Sequence, residues 1–138
     1  MTEMLLLAKR NLKLLSREID YLNKETDEDY LVSACFYTHM VIELSLKHLL
    51  EVNQLPCNYT HQLKSLIKAC KSYELPIPKQ VLIYYIDMKD WCTEARYNIS
   101  FRGDQKIVKE LYPVLTDWIN ELEQCEEIKK VNEQDLFE

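Results

Sequence analysis

Glycine is almost absent from this chain, with Gly103 as its single instance among 138 residues. Loops that cradle phosphate groups are rich in glycine, so a loop of this kind is excluded. The sequence also contains neither a Gly-x-Ser-x-Gly turn nor a His-Glu-x-x-His helix. The enzyme classes that are built on these motifs are therefore not expected.

Long uncharged apolar runs are missing as well. Near the N-terminus only residues 4–8 form an apolar run, which follows Glu3 and is too short for a secretory signal. The best candidate for a membrane span is interrupted by Glu43, Lys47 and His48. We therefore expect a soluble, cytoplasmic protein without a membrane segment.

Positive charge is scarce and dispersed. Lys and Arg number 17 against 23 Asp and Glu, which gives a formal net charge of −6. No basic cluster is longer than a pair of adjacent residues, such as Lys129 and Lys130. Because the sequence has no basic patch, duplex nucleic acid is not an expected partner.

The cysteines lack the spacing of a disulfide framework or of a Cys-x-x-Cys zinc site. Most of them fall at positions of the apolar periodicity, so we expect reduced and mostly buried thiols. The five are Cys35, Cys57, Cys70, Cys92 and Cys125.

Apolar residues recur every three or four positions, which predicts an all-α fold. The length suits one domain with one core, which we expect to span residues 1–130, followed by a frayed tail over 131–138. Five helices are predicted, over residues 2–23, 30–51, 61–73, 79–96 and 104–130. Pro113 predicts a bend or a break in the last helix, because proline lacks an amide donor. The glycine-containing segment 98–104 is predicted to be a loop.

The second predicted helix is apolar on nearly every side and should be enclosed by the others. Within it, Glu43 and Lys47 stand one turn apart, where an unpaired charge would be costly, so we expect an ion pair. Cys35 and His39 extend the same row and could contribute metal ligands. A closed zinc site usually has four ligands, and nothing elsewhere in the sequence completes the set. We therefore predict a structural cluster, with no metal and no cofactor.

Three segments together resemble one known family. The first is SACFYTHMVIELSLKHLLE at residues 33–51, the second is His61 followed by Leu63 and Leu66, and the third is TEARYN at residues 93–98. By the order and spacing of these segments, the chain resembles the HEPN family of nucleotide-binding helical domains. The resemblance covers about residues 6–123.

This resemblance implies an up-and-down bundle of about five helices. Such domains often form homodimers, and they frequently partner a small nucleotidyltransferase of the MNT type. Many members are metal-independent ribonucleases, in which a histidine four to six residues after an arginine acts as a base on the ribose 2′-hydroxyl. In those enzymes the arginine stabilises the charge that develops on the phosphorane.

The ribonuclease signature is incomplete in this sequence. Arg96 is the candidate arginine, and residues 101–103 are Phe, Arg and Gly. All three histidines precede it in the chain, at His39, His48 and His61. We therefore expect no catalysis by this chain alone. A ribonuclease with a displaced histidine is the alternative.

Arg96 has two interpretations, which the sequence leaves open. It is either part of a nucleotide or anion site, where a guanidinium binds phosphate and an aromatic ring stacks, or the structural partner of Glu43. The candidate ligand-binding residues are Lys47, Arg96, Tyr97 and Arg102. The resemblance further predicts a polar cluster near the bundle centre or one of its mouths. Its members are Glu43, Lys47, His61 and Arg96.

The favoured hypothesis is a non-catalytic association module. We expect a homodimer that works with a nucleotidyltransferase of the MNT type in a toxin–antitoxin or defence setting, with a nucleotide as candidate ligand. The dimer is suggested by bulky aromatic residues that crowd the last two predicted helices, more than a thin bundle easily buries. They are Tyr84, Tyr85, Trp91, Tyr112 and Trp118.

Overall fold

The computed structural model describes residues 1–24, 28–57 and 60–137, with residues 127–137 described by their backbone only. These residues form α1 (Glu3–Lys24), α2 (Glu28–Val52), α3 (Leu63–Ser72), α4 (Lys79–Tyr84), α5 (Trp91–Tyr97) and α6 (Gln105–Phe137). The described residues contain no strand, which confirms the predicted all-α class. Among these residues, no helix combines the length and the apolar run that a membrane span requires.

Helix α2 lies at the centre of the bundle and packs against α1, α3, α5 and α6. Every residue from Val41 to Leu50 is buried, as expected for a helix that is apolar on nearly every side. This enclosure removes the polar residues of α2 from water, so they must find partners inside the protein.

The surrounding helices bury one stripe each, at the three- and four-residue spacing that the sequence predicted. In α1 the buried side chains are Leu5, Ala8, Leu15, Ile19 and Leu22. In α3 they are Leu63, Leu66, Ile67 and Cys70. The stripe of α6 continues to Leu122, whereas Cys125 is exposed, in contrast to the mostly buried cysteines that the sequence predicted.

The predicted fourth helix, residues 79–96, is divided into α4 and α5. Between them the backbone forms successive i→i+3 bonds, from the amide of Met88 to the carbonyl of Tyr85 and from that of Trp91 to the carbonyl of Met88. Met88 and Trp91 remain buried. A spacing of three residues suits these tighter turns as well as an α-helix, which is why the apolar pattern did not reveal the division.

Helix α6 continues through Pro113, so the predicted break at this residue is wrong, while a bend there stays a prediction. The ring lies on an exposed part of the helix surface, where it removes one donor without meeting a packed neighbour. The helical backbone also extends beyond the predicted end at Lys130, as far as Phe137.

The predicted loop 98–104 joins α5 to α6 and packs on α2 through Gly103. Gly103 has φ +78°, and a Cβ at this position would lie 2.6 Å from the Sγ atom of Cys35. Glycine is therefore required here both for its conformation and for the close approach. Burial raises the pKa of the Cys35 thiol to about 12, so it stays protonated.

Candidate functional site

A buried carboxylate at the middle of α2 is the centre of the polar cluster. Glu43 is 1% exposed and has three neighbouring donors. The ammonium of Lys47 lies 3.2 Å from Oε2, and Nδ1 of His61 lies 3.1 Å from each carboxylate oxygen. Nε2 of His39 lies 3.3 Å from Oε1. Three of the four residues predicted to converge thus meet at this point.

These donors decide the charge of Glu43. Burial alone would raise the pKa of its carboxyl, but the hydrogen bond from His39, the charge of Lys47 and the hydrogen bond from His61 together hold the pKa below the ordinary 4.5. Glu43 is therefore an ionised carboxylate inside the bundle, and all three partners stabilise its charged form.

The two histidines of the cluster have different surroundings. Nε2 of His39 faces two acceptors, Glu43 and the carbonyl of His61 at 3.1 Å, so it carries the hydrogen. Its Nδ1 is buried and has no hydrogen-bond partner among the described residues. His61 donates from Nδ1 to Glu43, while its side chain is 63% exposed. Its Nε2 is therefore available at the surface.

Cys92 and Arg96, one turn apart on α5, border this cluster. The Sγ of Cys92 lies with donor atoms of His39 and Glu43 in a group whose members are all within 4.8 Å of one another. Arg96 donates to the carbonyl of Cys92 at 2.9 Å and to its Sγ at 3.4 Å. No described carboxylate forms an ion pair with Arg96, so Cys92 links it to the cluster and it is not the direct partner of Glu43.

The guanidinium of Arg96 also lies between two aromatic rings. Its central carbon is 5.6 Å from the ring centroid of Phe36 and 5.1 Å from that of Tyr97. Cation–π contacts of this kind hold the side chain in place without using its outward N–H groups. Tyr97 itself is 76% exposed, so one face of its ring remains open to a ligand.

A pocket of about 320 Å³ opens at the end of α5, where Arg96, Tyr97 and Arg102 all contribute to its wall. The Nε of Arg102 lies 3.4 Å from a carboxylate oxygen of Glu28, and both side chains are mostly exposed. Exposed ion pairs of this kind contribute only about 0–1 kcal/mol, so an anionic ligand can compete for Arg102. Lys47 does not line this pocket, and its predicted contact with a ligand stays a prediction.

The fold and these residues agree with one known family. The family model described as HEPN domain matches residues 8–131, which is most of the chain. This protein belongs to the HEPN family. No curated protein and no solved structure matches it.

The HEPN domain also contains features that the sequence did not reveal. A cavity of about 680 Å³ lies between the end of α2, residues 75–80 and α6. His48 borders it, is 1% exposed, and has its Nδ1 2.6 Å from the hydroxyl of Thr2. Burial lowers the pKa of His48, while the nearby Glu126 acts in the opposite direction. Residues far apart in the chain form these walls, and no sequence motif marks them.

Proposed function

We propose that this HEPN domain is a binding module that recognises a phosphate-bearing ligand, such as a nucleotide, at the pocket of Arg96, Tyr97 and Arg102. The observation that carries the proposal is the meeting of two guanidinium groups and an open aromatic ring at one pocket of about 320 Å³. In the sequence, no histidine follows Arg96, and Arg102 stands within the interval where ribonuclease relatives have their base.

The chemistry of the pocket suits binding better than proton transfer. A guanidinium stays charged at any physiological pH and offers paired N–H groups to phosphate oxygens, but it accepts no proton from a ribose hydroxyl. Stacking on the open face of Tyr97 would add affinity for a base without selecting its identity. Arg96 is already held by Phe36 and Cys92, so little side-chain entropy is lost when a ligand binds.

Binding can be measured with ATP as the probe. We expect millimolar ATP to raise the melting temperature of the protein, and we expect Arg96→Ala and Arg102→Ala to reduce that rise by more than half. Arg10→Ala, which changes an exposed arginine on α1, is the control and should leave the rise unchanged. The absence of a shift with the wild type, or a shift that survives both pocket substitutions, would contradict the proposal.

The domain is further proposed to act by association, as a homodimer and with a nucleotidyltransferase of the MNT type in a toxin–antitoxin or defence setting. The aromatic residues that suggested a dimer in the sequence do not support one in the structure, because Trp91 and Trp118 are buried within the chain. Three isoleucines support it instead, with exposures of 54% for Ile83, 65% for Ile86 and 96% for Ile99. Ile83 and Ile86 are three residues apart, and neighbouring exposed apolar side chains, unlike single ones, are typical of contact surfaces.

The mass of the protein in solution tests the dimer. Light scattering during size-exclusion chromatography should give twice the mass of one chain for the wild type and the mass of one chain for the double variant Ile83→Glu with Ile86→Glu. A wild-type mass of one chain would contradict the homodimer. Co-purification with a nucleotidyltransferase encoded beside this gene tests the second partner, and separate elution of the two would count against it.

The second candidate function, RNA cleavage with a displaced histidine, is favoured by one observation. His61 is oriented by Glu43 through Nδ1 and is 63% exposed, which are the features of a positioned general base. The purified chain should then cleave RNA without added metal, and His61→Ala and Arg96→Ala should each abolish the cleavage. Intact RNA after incubation with the wild type would reject this function.

A further inference from the structure

Three buried donors of different chemical types meet beside the bundle centre. They are one ring nitrogen of His39, one carboxylate oxygen of Glu43 and the Sγ of Cys92, all within 4.8 Å of one another. We infer that these residues bind one zinc ion, with Nδ1 of His61 as the fourth donor. His39 and Glu43 come from α2 and Cys92 from α5, so the ion would tie these two helices together.

The set of donors is the one that zinc prefers. Imidazole, thiolate and carboxylate are its usual protein ligands, whereas calcium and magnesium take oxygen ligands almost exclusively. His61 lies outside this three-residue group but beside it, with its Nδ1 3.1 Å from both oxygens of Glu43, and is the candidate for the fourth ligand. To bind the ion, Nδ1 would pass its hydrogen to the exposed Nε2. Four protein ligands and a buried position are typical of a structural zinc site rather than a catalytic one.

The distances are close to those of a bound ion. Bonds of about 2.0–2.3 Å place neighbouring donors of a tetrahedral zinc site about 3.3–3.8 Å apart. The donors of the three-residue group lie within 4.8 Å of one another, so a contraction of about 1 Å would be enough. Changes of side-chain rotamer provide movement on this scale.

His39 faces the site through Nε2, because this nitrogen lies 3.3 Å from Oε1 of Glu43. Nε2 would therefore bind the ion, and its hydrogen would move to Nδ1. The side chain is 0% exposed, so water does not compete with the ion for this ring.

Arg96 and Lys47 each contact one of the proposed zinc ligands without binding the ion themselves. Arg96 donates to the Sγ of Cys92, but burial raises the pKa of this thiol. The ion itself must therefore displace the thiol proton, which leaves to solvent when zinc binds. Lys47 lies at Oε2 of Glu43 and leaves Oε1 for the metal. Its charge still repels the ion, so removal of the Lys47 ammonium should strengthen zinc binding.

Zinc and cobalt are the probes that test the site. After equilibrium dialysis against micromolar zinc, we expect one zinc per chain by elemental analysis. Cobalt in place of zinc should give the near-ultraviolet absorption band of a thiolate–cobalt bond. Cys92→Ser should abolish this band and weaken zinc binding by at least about tenfold, whereas Cys70→Ser, at another buried cysteine, should change neither. A chain that retains no zinc, or a cobalt spectrum that Cys92→Ser leaves unchanged, overturns the inference.

One further variant protects this test against loss of folding, and a second should change zinc affinity in the opposite direction. His61→Ala changes an exposed side chain and is expected to weaken zinc binding while the circular dichroism spectrum stays unchanged. Lys47→Met is expected to tighten zinc binding, an effect that a purely structural cluster would not produce. Zinc affinity that neither substitution alters would assign the ion to another place on the protein.

Discussion

The imidazole of His61 is hydrogen-bonded through Nδ1 to both carboxylate oxygens of Glu43, each at 3.1 Å. The side chain of His61 is 63% exposed, whereas that of Glu43 is 1% exposed. A ring at the surface is therefore oriented by a carboxylate that water does not reach, and Lys47 and His39 hold this carboxylate from within. Changes at Glu43 should consequently affect the stability of the bundle as well as the site.

Replacement of Glu43 by Gln keeps the shape of the side chain and removes its charge. We expect the free energy of unfolding to fall by about 3 kcal/mol, because the ammonium of Lys47 remains buried without a counter-charge. Urea unfolding at neutral pH measures the loss. Glu51→Gln, at an exposed position of the same helix, is the matched control and should change the value by less than about 0.5 kcal/mol. Equal losses would show that burial of the pair is not the cause.

The dependence of stability on pH follows from the same residue. The pKa of Glu43 is below 4.5 in the folded protein, so between that pKa and pH 4.5 the unfolded chain binds a proton that the folded chain does not. The contribution of Glu43 to stability is therefore present above pH 4.5 and is lost as the pH falls through the folded pKa.

We accordingly expect the difference in unfolding free energy between the wild type and Glu43→Gln to shrink as the pH is lowered below 4.5. Urea unfolding curves at steps from about pH 7 to about pH 3 measure this difference. Glu51→Gln again serves as the control, since its difference from the wild type should stay small throughout. A difference that remains constant over the acid range would contradict the assignment of the charge to Glu43.

The pairing of Glu43 with Lys47 could be predicted because both residues lie on one helix, where the chain itself fixes their spacing. The position of Cys92 beside this pair could not be predicted, since it depends on how α5 packs against α2. Apolar periodicity specifies which face of a helix is buried but not which helix that face contacts. The spacing of Cys92 and Arg96, one turn apart, was the only signal available.

The prediction of helices from the sequence was limited in the same way. Helices α1 and α3 were predicted within two residues of their observed ends, because an apolar spacing of three and four residues is typical of a helix. The division between α4 and α5 was missed because residues spaced by three stay on the inward side in either kind of turn. The low helix propensity of proline predicted a break at Pro113. The helix continues there because packing of α6 against α1 and α2 outweighs this local preference.

Removal of both the Glu43 and the Lys47 charge should lower the free energy of unfolding by less than the sum of the two single substitutions. We expect the double variant Glu43→Gln with Lys47→Met to be more stable than the sum of the single variants predicts by about 1–3 kcal/mol, because it leaves no unpaired buried charge. A double-mutant cycle in urea measures this coupling. The ion pair of Lys9 and Glu123, 2.7 Å apart and more exposed, is the control and should show a coupling below about 1 kcal/mol. Similar couplings in both cycles would contradict a special role for burial.

Gly103 and Cys35 give a test of how the loop 98–104 is fixed on α2. Gly103→Ala should lower the free energy of unfolding by about 2 kcal/mol or more, because φ is +78° and the new Cβ would meet Sγ at 2.6 Å. Cys35→Ala removes that sulfur, so it should cost less in the Gly103→Ala background than in the wild type. Ser100→Ala, at an exposed position of the same loop, controls for changes in the loop itself. Losses that simply add in the double variant would show that the conformation of Gly103, and not its contact with Cys35, determines the requirement for glycine.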